Sequence, residues 1–174
     1  MTPWDSITEL LDLRSFSNLW FWIFLAVLWV GVSHWVMGVS YSLVLRARSD
    51  GGRAEEDLFT LLRLRVEGLT RMAERTGVFS VATISFLLTA LAMLGFLYKL
   101  EFAQALFLIL LPLLLVLVLT VRTARRIAAD ESRETIYLRL RRLKAAVQSI
   151  GMLAVLLTTT WGMYVNASLG VLGR

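Results

Sequence analysis

The sequence predicts an all-α, polytopic membrane protein: an antiparallel bundle of four transmembrane helices, with helices extending into the cytoplasm. Charge distribution carries the first half of that reading. Of 174 residues, 57% are hydrophobic and 18% charged, and the mean hydropathy is +0.70, well beyond a soluble domain. Asp, Glu, Lys and Arg are absent from residues 15–45, 76–98, 102–121 and 145–173, which hold 103 of the 174 positions. A bilayer crossing needs roughly 20 apolar residues, so each window is long enough for one. Spacing carries the second half. Apolar residues outside the windows follow heptad seams that run on into the spans. One membrane domain uses the whole length, which excludes a soluble enzyme, a disordered tail and a secreted mini-protein.

The elements follow in order. In residues 3–14, Trp4, Ile7, Leu10 and Leu11 recur at helical spacing with Asp5 or Ser6 as cap, predicting an amphipathic helix on the outer membrane surface. The first span is 19–45. Asp5, Glu9 and Asp12 against Arg14 make the preceding stretch acidic, and the apolar run exceeds the ~7–15 residues of a signal peptide, so it reads as a retained helix. A cytoplasmic loop and stalk occupy 46–77. The stalk opens at Ser49-Asp50-Gly51-Gly52, carries Glu55, Glu56 and Asp57 where acids suit a helix start, and shows the seam Phe59, Leu62, Val66, Leu69, Ala73. That seam continues as Thr76, Ser80 and Thr83, predicting one long helix through the second span, 78–98, with a bend at Gly77.

Lys99-Leu100-Glu101 leaves room only for a tight antiparallel hairpin into the third span, 102–121. That span is nearly featureless apart from Pro112, where a kink is expected, and it reads as the most lipid-exposed helix. A second loop and stalk, 122–144, leads into the fourth span, 145–172, along the seam Ile136, Leu140, Leu143, Val147, Ile150, Ala154.

Topology follows from the basic residues. Residues 46–75 contain seven and residues 122–144 eight, together 15 of the chain's 18. By the positive-inside rule both loops are cytoplasmic and both termini periplasmic, in a bacterial inner membrane. Trp20, Trp22, Tyr98, Trp161 and Tyr164 fall towards the outer ends of their spans, where amphipathic rings sit among headgroups.

Within the spans the polar groups suit packing. His34, the one histidine, is placed near mid-depth of the first span, on a face with Gly31, Gly38 and Tyr41. Thr158, Gly162, Asn166 and Gly170 recur every four residues on the fourth span, a small-residue stripe that lets helices approach closely. The two faces are expected to meet, with His34 hydrogen-bonding a threonine of 158–160. No span contains a carboxylate or a lysine, which weighs against ion-coupled transport. There is no cysteine, no phosphate-binding glycine loop, no H-E-x-x-H and no G-x-S-x-G, and no triad can form. The chain reads as no enzyme and calls for no cofactor or metal. The net charge of +5 belongs to membrane topology rather than to nucleic acid.

Residues 14–22 (RSFSNLWFW), 33–39 (SHWVMGV), 45–48 (LRAR), 101–107 (EFAQALF), 150–152 and 161–163 resemble a group of small bacterial inner-membrane proteins labelled "component of the SufBCD complex", the iron–sulfur cluster assembly machinery. The resemblance implies a membrane tether for that machinery and supplies no catalytic residues. Three functions stay open. The first is a scaffold offering Arg63, Arg65, Arg139, Arg141, Arg142 and Lys144 to a protein partner or to anionic lipid headgroups, as a monomer or a homo-oligomer. The second is an accessory subunit of a respiratory or photosynthetic complex that contacts its partner within the bilayer. The third is a small passive pore or carrier lined by Ser80, Thr83, Thr89 and Thr158.

Overall fold

The computed structural model describes Phe16, residues 18–129 and residues 132–172; the expected surface helix at 3–14 lies outside them. Among the described residues the fold is helical apart from one small hairpin. In order come α1 (Leu19–His34), β1 (Trp35–Val36), β2 (Val39–Ser40), α2 (Tyr41–Asp50), α3 (Gly52–Ala92), a π-helical turn (Met93–Leu97), α4 (Glu101–Ala128) and α5 (Arg133–Leu172). Among the described residues three helical segments are long and apolar enough to cross a membrane: Gly77–Leu97, Glu101–Ala128 and Arg133–Ser168. The helix α1 is equally apolar but has 16 residues, about 24 Å of rise.

The first span departs from expectation. Residues 19–45 do not form one helix. The side chain of Asn18 caps the start of α1, accepting from the Trp20 N–H at 3.0 Å. After His34 the chain turns extended and pairs with itself, Trp35 with Ser40 and Val36 with Val39. Met37 and Gly38 form the turn at φ 57° and 76°, the left-handed pair that a two-residue hairpin requires. A charge-free window records apolarity, not backbone. The segment 32–42 is rich in valine and aromatics, which favour strands, and in serine, which competes with helical backbone bonding and favours caps and turns. Met37 and Val39 of the hairpin are buried in protein, where they join the core described next.

Two regions of packing result. At the basic end, α2, the first half of α3, the last turns of α4 and the first half of α5 enclose a core that includes Val44, Leu58, Leu62, Val66, Ala124, Ile127, Ile136 and Leu140. The seam expected at 136–154 is realised: Ile136, Leu140, Leu143, Val147 and Ala154 are buried and Ile150 half-buried. The α3 seam is rotated slightly. Leu58, Leu62 and Val66, four residues apart, lie deepest, with Phe59 and Leu69 at their flank. Of the expected continuation, Ser80 is half-buried and Thr83 exposed, so the seam is lost by Thr83; the side-chain surroundings at position 76 lie outside the described residues.

In the apolar half, Leu25 and Trp29 of α1 pack on Ile109 of α4 and Ala154 of α5. The expectation that the third span is the most lipid-exposed is overturned. The segment of α4 has 22% of its most apolar window buried, whereas along Gly77–Leu97, which runs from α3 through the π-helical turn, only Leu91 and Gly95 are buried. A helix that is apolar all round suits a central position as well as a peripheral one, and its composition carries no direction. Both α3 and α4 run unbroken through Gly77 and Pro112 respectively.

Candidate functional site

The sequence-predicted packing residues separate into two clusters at opposite ends of the apolar region. At the end away from the basic helices, Gln104 is 5% exposed and ties three elements together. Its Nε2 donates to the Gly95 carbonyl at 2.8 Å, and its Oε1 accepts from Trp161 Nε1 at 2.9 Å. The π-helical turn brings that carbonyl out of the regular ladder, and Lys99 at φ 56° completes the reversal into α4. Approach is so close that a Cβ on Gly95 would lie 2.9 Å from the Gln104 backbone nitrogen. Nearby, Phe16 is buried against α5. Its carbonyl accepts from Trp22 Nε1 at 3.1 Å and from Asn166 Nδ2 at 3.4 Å, and its ring is among the atoms a Cβ on Gly162 would meet at 3.2 Å.

At the other end, Lys144 Nζ donates to the Ser33 carbonyl at 2.8 Å and stands 4.5 Å from the centroid of the Tyr41 ring. Ser33 is in the last turn of α1, whose carbonyls lack helical partners and favour a cation. Lysine therefore closes α1 and fixes its depth along α5. His34 follows directly, exposed, with Nε2 3.5 Å from Ser40 Oγ. Two expectations fail here. His34 stands level with Lys144, the first charge bounding the fourth window, rather than at mid-depth. It also bonds no threonine: Thr158 and Thr160 donate to Ala154 and Leu156 of their own helix at 2.7 and 2.9 Å. The end of α1 at His34, about three turns short of a single 19–45 helix, accounts for both. His34, Ser33, Lys144 and Gln148 form the polar end of a groove of about 740 Å³ between α1 and α5.

The small residues divide likewise. Gly31 has no atom within 4 Å of a Cβ position, so it serves no close approach. A Cβ on Gly38 would lie 3.3 Å from Arg65 Nε. Gly151, which sequence reasoning missed, is the tight contact of α1 with α5: a Cβ there would lie 2.9 Å from Trp29 Cε3. Its signal was present as a glycine within the seam at 147–154. Thr158 is fully buried, and the side-chain surroundings at position 170 lie outside the described residues. Thr83 and Thr89 are exposed on α3 while Thr158 is buried in α5, so these pore-lining candidates share no face.

The predicted arginines decorate the packed basic end. Arg63, its side chain 82% exposed, pairs with Glu67 at 3.3 Å, and Arg71 pairs with the same carboxylate at 3.0 Å. Arg133 pairs with Glu55 at 3.2 Å and lies 5.1 Å over the Phe59 ring, joining α5 to α3. Arg141 is exposed. Arg139 and Arg142, together with Arg126, line a groove of about 720 Å³ between α4 and α5. The two stalk seams thus meet each other, and what they leave outside is arginine.

Fold and site together define a helical protein with three membrane-capable segments and a self-packed basic end. Comparison with protein families, with curated proteins and with solved structures gives no match.

Proposed function

We propose that this chain is a non-enzymatic integral scaffold of a bacterial inner membrane, presenting a basic helical head to a cytoplasmic partner complex. In this reading the chain crosses four times as an antiparallel bundle, with both termini periplasmic. The contacts of α1 support the fourth crossing. Ser33 meets Lys144, Trp29 meets Gly151, and Trp22 meets Gly162. From 144 to 162 along α5 is about 27 Å of rise, close to the ~30 Å hydrocarbon core. Fifteen of the 18 basic residues flank the opposite ends of the spans from Lys99, which favours a cytoplasmic head.

One observation carries the scaffold reading: the seams of both stalks are consumed in a core within the chain, so the head is a preformed body and not a pair of loose tails. Arg63 and Arg141 face outward from it and suit a partner with an acidic surface. The iron–sulfur assembly machinery is the partner that the resemblance suggests. Cross-linking in native membranes followed by mass spectrometry tests this. A partner recovered with the native chain and lost with the double variant R63E/R141E is expected; recovery of the chain alone in both cases counts against it.

A second reading, an accessory subunit held within the bilayer, is favoured by the exposed apolar face of Gly77–Leu97, which includes Val78, Phe79 and Phe86. It predicts the opposite pattern: charge reversal in the head leaves the assembly intact, while polar substitutions at Phe79 and Phe86 release it.

A further inference from the structure

We infer that the groove between the basic ends of α4 and α5 binds the phosphate of an anionic phospholipid. Arg126 approaches from α4, and Arg139 and Arg142 from α5, three residues apart on one helical face. Among the described residues no carboxylate lines the groove. A guanidinium presents a planar fork matched to phosphate oxygens. Basic pockets between membrane helices on the cytoplasmic side recognise lipid headgroups by this chemistry.

The walls distinguish a lipid from a free anion. Above the arginines the groove continues over Leu119, Leu143 and Ala146. Leu119 belongs to the charge-free window of α4 and Ala146 to that of α5. The groove therefore straddles the level at which charge begins on both helices, where a bilayer holds its phosphates. An acyl chain can lie on the apolar wall while the phosphate meets the arginines. Inorganic phosphate would leave that wall unused.

The inference rests on the membrane placement proposed above, which resistance to alkaline extraction tests by itself. The groove is tested on the full chain, purified and delipidated in neutral detergent. Phosphatidylglycerol and phosphatidylcholine are titrated in turn, and bound lipid is read by native mass spectrometry. Selective retention of one phosphatidylglycerol is expected. At ~1 kcal/mol per arginine near the surface, affinity falls roughly fivefold for each one removed, and about 25-fold for R126Q/R142Q. R125Q removes a neighbouring charge outside the groove and leaves affinity unchanged. Should the pair fail to fold, R142Q alone carries the test, roughly fivefold loss against none. Equal retention of phosphatidylcholine, or equal losses in R125Q and the pair, overturns the assignment. So does displacement of the lipid by equimolar inorganic phosphate, which gives the groove to the free anion. A chain that stays membrane-integral yet ignores phosphatidylglycerol refutes the groove and leaves the scaffold reading standing.

Discussion

Replacing Gln104 by leucine removes the polar knot at the α3–α4 reversal while nearly conserving volume. Two hydrogen bonds disappear, one to the Gly95 carbonyl at 2.8 Å and one from Trp161 at 2.9 Å. Side-chain bonds between membrane helices contribute ~0.6 kcal/mol on average and up to ~1.7, so the pair accounts for roughly 1–3 kcal/mol. For a chain of this length each kcal/mol moves a midpoint by about 2–4 °C, and Q104L is expected to melt about 5 °C lower in mild detergent, followed by near-UV circular dichroism. The cycle with Trp161→Phe sharpens the test, since that substitution removes only the second bond. A coupling of ~0.6–1.7 kcal/mol between the two is expected. Additivity within ~0.3 kcal/mol would refute the reasoning, because Gln104 would then be a passenger in a site held by packing.

Other substitutions probe other joints. Gly151→Leu should break the seat of Trp29 and destabilise the chain by several kcal/mol, partly restored by Trp29→Ala, whereas Gly31→Leu, with open space around it, should leave the melting midpoint within about 2 °C of the native one. Leu140→Ala, at a position 1% exposed, should cost about 2–5 kcal/mol; a smaller loss would mean that the head is loosely packed. Because the chain has no cysteine, single introduced thiols report topology cleanly. Lys99→Cys should react with an impermeant maleimide from the periplasmic side only and Asp50→Cys from the cytoplasmic side only. Labelling of both from one side would exclude the proposed hairpin crossing.

What could be read in advance depended on whether a residue's chemistry has direction. The stripe from Ile136 to Ala154 alternates with arginine and lysine over its first half, so its buried face was fixed by contrast, and the structure buries that face. The Lys99-Leu100-Glu101 link was short enough for length alone to dictate a hairpin. Residues 102–121 offered no contrast, and their central position in the packing stayed hidden. The interruption at 35–40 was hidden for a related reason. Counting charges treats Met37 and Gly38 as two more uncharged positions, although what matters there is the sign of φ. Gln104 escaped notice because an uncharged amide is silent in the same count, yet it is the side chain that joins the turn to Trp161.

The unbroken course of α3 and α5 sets how the molecule behaves mechanically. Each is a single rod about 60 Å long that begins in the head and ends in the apolar region, across 41 and 40 residues. Such rods transmit tilt and rotation without stretching. A load applied at the head is therefore a torque on the far half of each rod. On α5 that torque meets α1 and α4 and is resisted. On α3 it meets only α4 until the Gly95–Gln104 bond anchors the end of the rod, so what compliance the molecule has lies between the head and that anchor.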